Sequence, residues 1–146
     1  MEIKIEIDAT CKEPEIMIRT SEMTGEISDI VQKLSASQQK LLAGFIDGSV
    51  QLIDTSEIIR LYSTDKKVFA QTKSEEFVIR LRLYELEERL DKKLFVRISH
   101  SEIVNMKAIR NMDLSFAGTI SITLSNETTT YVSRRYVAKI KQILGI

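Results

Sequence analysis

Residues 95–105 have the sequence Phe-Val-Arg-Ile-Ser-His-Ser-Glu-Ile-Val-Asn, in which a β-prone run is followed by a polar segment and a second apolar run. The apolar and β-branched side chains of residues 95–98 predict a strand. Arg97 lies between Val96 and Ile98, so strand alternation places its side chain on the outer face, whether or not it binds anything. The stretch therefore begins with a strand that leads into a polar segment.

The polar segment contains Ser99, His100 and Ser101, which we expect to form a loop. Ser101 is a favourable N-cap residue and predicts the start of a short helix, in which Glu102 faces away or caps the first turn. Asn105 is interpreted as a structural residue that closes a turn. Side chains in such a loop are accessible to a ligand, because connecting loops lie at the protein surface.

A second informative stretch, residues 131–136, reads Tyr-Val-Ser-Arg-Arg-Tyr. Residues 129–132 predict a strand, and a helix is expected to begin at Ser133. The helical period places one set of side chains inward, namely Tyr136, Val137, Ile140 and Leu144. It places a basic set outward, namely Arg134, Arg135, Lys139 and Lys141.

The rest of the chain alternates short β-prone runs with two helical patterns. The other predicted strands are 3–7, 16–19, 41–46, 50–53, 58–62, 68–72, 76–81, 109–116 and 119–124. Helices are predicted over 23–34, capped by Ser21 or Thr24, and over 83–90. A hairpin turn is expected at Asp47-Gly48, a second pair of strands is expected around residues 64–67, and a further turn is expected at 117–118. The fold class is therefore mainly β with short helices.

Charge is distributed unevenly along the 146 residues, although the formal net charge is zero. Residues 1–57 hold 5 Lys and Arg against 11 Asp and Glu, and residues 58–91 hold 7 of each. Residues 92–146 hold 9 Lys and Arg against 3 Asp and Glu. A basic end of this kind suits a polyanionic partner. Chance segregation of solvated surface charge is the other interpretation.

Several function classes have no support in the sequence. A single His100 and a single Cys11 form neither a disulfide nor a metal site, and a lone cysteine fits a reducing cytoplasm. No nucleotide-binding glycine motif follows a strand, and no apolar run reaches the length of a membrane span. We therefore expect a cytoplasmic protein that is not an enzyme, without catalytic residues, metal, cofactor or small-molecule substrate.

The order of these motifs resembles the LytTR family of bacterial DNA-binding domains. The resemblance rests on residues 95–105, Ile109, residues 131–136 and the preceding Leu-rich helix 83–90. It covers residues 48–146, which we take as a LytTR-like multi-sheet β domain. Residues 1–47 are taken as a strand-helix-strand extension.

The resemblance implies a domain that inserts loops, not a recognition helix, into successive major grooves of DNA. The residues implied to contact DNA lie in three loops: Lys66 and Lys67; Arg97, Ser99, His100 and Ser101; and Arg134 and Arg135. Arg135 matches the family's most dependable base-reading position, and arginine suits bidentate contact with guanine or phosphate. Arg134 is equally well explained as a solvated helix residue.

The central motif departs from the family pattern at three positions. Ser99 stands where the family usually has His, and His100 stands where it usually has Arg or Asn. Glu102 stands where an aromatic residue is common. These departures affect the prediction of which side chains of the loop contact DNA bases.

The resemblance also implies partners. Residues 1–47 are too few for a phospho-acceptor domain of about 120 residues. The extension resembles that of regulators found beside genes for small membrane proteins, so sequestration by such a protein is a hypothesis for control. The helix 23–34 could instead form a dimer surface or pack on the β domain.

Together, these features predict a transcriptional regulator that binds double-stranded DNA as a homodimer. A protein-interaction module for an acidic partner and an RNA-binding protein are the alternatives.

Overall fold

The computed structural model describes residues 1–38, 40–114 and 118–146. The described residues form three helices: α1 (Gly25–Gln38), α2 (Leu83–Arg89) and α3 (Arg134–Leu144). The strands up to α2 are β1 (Leu41–Ile46), β2 (Ser49–Asp54), β3 (Arg60–Thr64), β4 (Lys67–Gln71) and β5 (Glu76–Ile79). The strands after α2 are β6 (Phe95–Ser99), β7 (Glu102–Asn105), β8 (Ile109–Asp113), β9 (Ile120–Leu124) and β10 (Thr129–Val132). The predicted fold class is confirmed.

Two tight turns fix the register of the first two hairpins. Asp47 and Gly48 have φ values of 49° and 78°, and Asp65 and Lys66 have φ values of 49° and 64°. Two consecutive residues with positive φ form the hairpin turn whose twist matches that of the flanking strands. The hairpins β1–β2 and β3–β4 confirm both predicted turns.

The strands assemble into two antiparallel sheets. One sheet has seven strands in the order β2-β1-β5-β4-β3-β7-β6, and the other has three in the order β10-β9-β8. β1 pairs with both β2 and β5, and therefore lies inside the seven-stranded sheet. Because β3 pairs with β7, residues far apart in sequence become neighbours.

Two apolar clusters lie on opposite faces of the seven-stranded sheet. The first packs the helix α2, through Leu83, Leu86 and Leu90, against strands that include β1, β3 and β5. The second joins β6 and β7 to the three-stranded sheet and to Ile140 of α3. The inward face predicted for α3 is confirmed. Strands β6 and β7 are therefore covered on both faces.

A polar network ties the two sheets together at β7. Glu102 is only 7% exposed; its carboxylate accepts a hydrogen bond from Arg60 at 3.0 Å and from Thr130 of β10 at 2.5 Å. Arg60 Nε also donates to Gln71, and its guanidinium lies 4.3 Å from the centroid of the Tyr62 ring. The burial of one carboxylate is thus compensated by partners from both sheets.

The network ends at a Tyr–Glu pair on the surface. Tyr62 donates its hydroxyl proton to Glu76 at 2.7 Å, and Gln71 donates to the other carboxylate oxygen at 2.9 Å. Burial, followed by the bond to Glu76, raises the pKa of Tyr62. The two donated bonds, that from Tyr62 first, lower the pKa of Glu76. Both shifts favour the ionised carboxylate beside a neutral phenol.

The strands predicted at 3–7 and 16–19 are wrong. Both segments are irregular, and Ile3, Ile5 and Ile7 are each more than 80% exposed. Alternation of apolar and charged residues favours a strand only where a neighbouring strand supplies backbone partners. In the described chain no strand pairs with either segment.

Two predictions for the central motif are also wrong. Arg97 is 8% exposed, because α2 covers the face of β6 that strand alternation was expected to leave open. Residues 102–105 form strand β7 and no helix begins at Ser101, so Glu102 points between the two sheets. The sequence pattern indicated alternation correctly but could not indicate that both faces are covered.

The remaining elements agree with the sequence to within a few residues. The helix predicted over 23–34 is α1, and the Thr24 hydroxyl accepts a hydrogen bond from the Ile27 amide at 3.3 Å. Asn105 closes a turn as predicted, by accepting a bond from the Lys107 amide. The strand predicted over 109–116 ends at Asp113; residues 115–117, with part of the predicted turn, lie outside the described residues.

We expect Glu102→Ala to destabilise the chain by about 2–4 kcal/mol, because it leaves the guanidinium of Arg60 without its carboxylate partner in a largely buried site. Glu127→Ala is the matched control, since Glu127 pairs with Arg110 at 2.8 Å but is highly exposed. That variant should change stability by less than about 0.5 kcal/mol. Urea unfolding measures both values, and similar losses in the two variants would contradict this account of the network.

Candidate nucleic-acid interface

Three chain segments meet at one end of the molecule, although they are separated by up to 70 residues in sequence. The Ser63 amide, in β3, donates to the Ser101 carbonyl at 2.8 Å and joins the β3–β4 turn to the β6–β7 turn. The Ser133 amide donates to the Ile98 carbonyl at 2.9 Å and joins the start of α3 to the same β6–β7 turn. We call this end, formed by both turns and the first residues of α3, the basic edge.

A cavity of about 500 Å³ opens between the two turns of the basic edge. Lys66 and His100 line it from the turns, and Arg82 and Tyr84 line it from the start of α2. None of the described residues that line it is a carboxylate. The cavity is therefore suited to an anionic or hydrogen-bond-accepting ligand.

Arg97 holds the β6–β7 turn in place from beneath. Its guanidinium donates to the Ser99 carbonyl at 2.7 Å, to the His100 carbonyl at 2.5 Å and to the Glu87 carboxylate of α2 at 2.8 Å. The strand pairing shifts register between Arg97 and Ser99, as in a β-bulge, which redirects the turn. Arg97 thus fixes the shape of the turn, while its own donors are engaged inside the protein.

The turn itself presents small polar side chains to solvent. The Ser99 hydroxyl accepts a bond from the Ser101 amide at 3.2 Å, which closes the turn locally. His100 and Ser101 are exposed at its tip, and Ser99 is half-buried. Of the predicted residues here, His100 and Ser101 are presented outward, whereas Arg97 is not.

The other predicted residues are exposed on the same edge. Lys66 and Lys67 lie at the β3–β4 turn, and Arg134 and Arg135 form the first turn of α3. A Cβ atom added to Gly118 would lie 3.9 Å from the Arg134 Nε atom, so Arg134 leans toward the chain that leads into β9. Strand pairing through β3 and β7 brings these cations together.

Two residues of the cavity were missed by sequence reasoning. Arg82 precedes α2 and makes no side-chain cap for that helix. Tyr84 is 60% exposed although it is a large aromatic residue. Nothing in the sequence pattern related Arg82 or Tyr84 to the two distant turns.

Comparison with known proteins agrees with this architecture. Residues 48–145 match the LytTr DNA-binding domain. Uncharacterized HTH-type transcriptional regulators of Staphylococcus aureus strains bovine RF122 / ET3-1 and NCTC 8325 / PS 47 are each 35% identical to the chain over 147 residues, covering 100% of this chain and 99% of the relative. A solved LytTr DNA-binding domain from Bacillus cereus covers 73% of this chain with a TM-score of 0.71 at 22% identity, which supports the fold.

Fold and edge together define a β-rich domain that presents cations from turns and from a helix start. The chain belongs to the LytTr DNA-binding domain family. This family is a class of DNA-binding regulator domain and not a class of enzyme. Among the helices of the described residues, none is long and apolar enough to cross a membrane.

We expect Arg97→Ala to cost about 1–3 kcal/mol of stability, since it removes charge-assisted bonds to two carbonyls and to Glu87. Hydrogen exchange should also quicken selectively at the amides of the β6–β7 turn. Arg110→Ala is the matched control, because Arg110 pairs with Glu127 on the exposed surface. Equal stability losses in both variants, without faster exchange at the turn, would show that Arg97 does not hold the turn.

Proposed function

We propose that this protein binds double-stranded DNA through the basic edge and regulates transcription in the cytoplasm. The observation that carries the proposal is the convergence, at one end of a LytTr fold, of two segments with exposed cations, Lys66 and Lys67 and Arg134 and Arg135, with the polar β6–β7 turn. Phosphate neutralisation by such cations provides affinity, and contacts to base edges provide sequence preference. The names of the Staphylococcus aureus relatives as transcriptional regulators support the same conclusion.

Loops, and not a recognition helix, are the proposed reading elements. A helix-turn-helix needs two consecutive helices, whereas strands separate α1, α2 and α3 along the described chain. The β3–β4 turn, the β6–β7 turn and the start of α3 each project from a packed strand. We therefore assign them to successive major grooves on one face of DNA, with Lys66, Lys67, Ser99, His100, Ser101, Arg134 and Arg135 as contacts.

Arg97 receives a different role from that of the other residues implied by the resemblance. Its donors are engaged by two carbonyls and by Glu87, so a direct contact with DNA would cost these bonds. We assign it as a positioning residue for His100 and Ser101. The proposal also includes a homodimer on paired half-sites, which doubles the recognised sequence.

We expect Arg135→Ala to weaken binding to the preferred operator by about 5- to 150-fold and to reduce the preference over scrambled DNA, as loss of one bidentate base contact would. Lys141→Ala is the matched control, because Lys141 is an exposed cation in the last turn of the same helix. Fluorescence anisotropy at several salt concentrations measures affinity and salt slope. Equal effects of the two variants would remove Arg135 from the base-reading set.

The same titration separates the proposal from its alternatives. DNA binding through phosphates predicts a steep fall in affinity with rising salt on any duplex, with one preferred sequence. Stronger binding to RNA than to DNA would favour an RNA-binding protein. The absence of binding to any genomic fragment at low salt would overturn the proposal and favour a module that binds an acidic protein.

We also propose that a small membrane protein controls activity by binding the acidic N-terminal part of the chain. Residues 1–57 hold 11 acidic against 5 basic residues, which keeps this part away from DNA and available to a cationic surface. Replacing Glu2, Glu6, Glu13 and Glu15 with Gln should lower the amount of membrane protein, encoded by a neighbouring gene, that co-purifies with the chain by several-fold. The affinity for DNA should not change. Unchanged recovery of the membrane protein would contradict the proposal.

A further inference from the structure

The seven-stranded sheet is covered unevenly on one of its faces. Over β7 and β6, together with Ile59 just before β3, this face packs against the three-stranded sheet and α3. Over β1, β2 and β5, the same face carries Leu41, Ala43 and Phe45 of β1, Val50 and Leu52 of β2, and Val78 of β5. The strand register places these six side chains together, because directly paired residues point to the same side. We call them the open face.

The open face is apolar and accessible to solvent. Leu41, Val50 and Leu52 are 49%, 57% and 69% exposed. The guanidinium of Arg80 lies 3.8 Å from the Phe45 ring centroid. The register places two carboxylates at the margins of the open face, Asp54 opposite Leu41 and Glu76 beside Val78 in β5. An edge strand without Lys or Pro, such as β2, also lacks the usual protection against association. The open face therefore has the properties of a protein–protein interface.

The segment that precedes β1 also exposes apolar side chains. None of the described side chains before Leu42 is buried. In the described chain, twelve of the seventeen large apolar residues that are strongly exposed lie within the first 52 residues. At roughly 100 Å² for a fully exposed apolar side chain, they offer roughly 800 Å². A stable interface buries about that area on each partner.

We propose that the open face is the contact between two copies of this chain, packed face to face about a two-fold axis that runs along the strands. The N-terminal segment of each copy closes over the margin of this contact. In the single chain Leu52 is 69% exposed, so the N-terminal segment of the same chain does not cover it. This favours a second copy as the occupant of the open face. The acidic balance of residues 1–57 disfavours the anionic surface of a membrane as an alternative occupant.

The direction of the axis follows from the proposed DNA contact, on which this part of the inference rests. A two-fold axis along the strands leaves both basic edges at the same end of the dimer, where one duplex can meet both. Edge-to-edge pairing of β2 with its copy would be antiparallel and would turn the two basic edges to opposite ends. Packing of the two open faces therefore fits binding to paired half-sites.

Sedimentation of the full chain without DNA tests the interface independently of DNA binding. We expect a dimer at micromolar concentration, and at least a 100-fold weaker dimer for Leu52→Lys, whose lysine would be desolvated at the contact. Ile143→Lys is the matched control, because Ile143 is 48% exposed on α3, outside the open face. A monomeric wild-type chain, or equal dimerisation of both variants, would overturn the proposal.

Cross-linking distinguishes face packing from edge pairing. Replacing the single Cys11 with Ser provides a background without cysteine. In that background, Leu52→Cys should form an intermolecular disulfide under mild oxidation. Gln51→Cys, which is also exposed but points to the other side of β2, should not. Equal cross-linking at both positions would indicate edge pairing and would overturn the face-to-face arrangement.

Discussion

The buried carboxylate of Glu102 is the constraint on which the two-sheet architecture depends. It lies in β7, the strand that packs on α2 with one face and on the three-stranded sheet with the other. Arg60 and Thr130 compensate the burial of this carboxylate, since they approach it from both sheets at hydrogen-bonding distance. The relative position of the two sheets, and with it the start of α3, is therefore coupled to one ion pair.

Arg97 is a second buried charged residue, and its partners hold the basic edge in place. A guanidinium that would ordinarily be expected at the DNA surface is turned inward, where it fixes two carbonyls of the turn that carries His100. The recognition surface is thus built from side chains on a turn whose backbone is held by a buried cation. Support of this kind gives binding groups a defined geometry before the ligand arrives, which reduces the entropy that binding must overcome.

The two ends of the seven-stranded sheet differ, with β4 and β3 between them. The end formed by β7 and β6 is covered on both faces and connects the two sheets, and its turn forms the basic edge together with the β3–β4 turn and the start of α3. The end formed by β2, β1 and β5 exposes apolar side chains and follows an N-terminal segment that has no buried side chain among its described residues. Recognition of DNA and association with another chain are thereby separated on one scaffold.

The sequence by itself determined the fold class, the hairpin turns, the helices and most of the exposed cations of the basic edge. The fold class, the turns and the helices follow from local rules, namely the residue types of tight turns and the strand and helical periods. Lys66, Lys67, His100, Ser101, Arg134 and Arg135 were named from the resemblance to the LytTR family, and all are exposed.

Only the tertiary structure decided which side chains remained available. Local alternation indicates that Arg97 and Glu102 point to particular sides of a strand, but not what covers those sides, since α2, β10 and Arg60 reach them from distant parts of the chain. For the same reason Arg82 and Tyr84 joined the cavity without a sequence signal. The alternating residues 3–7 failed to form a strand, because pairing depends on a neighbouring strand and not on pattern alone.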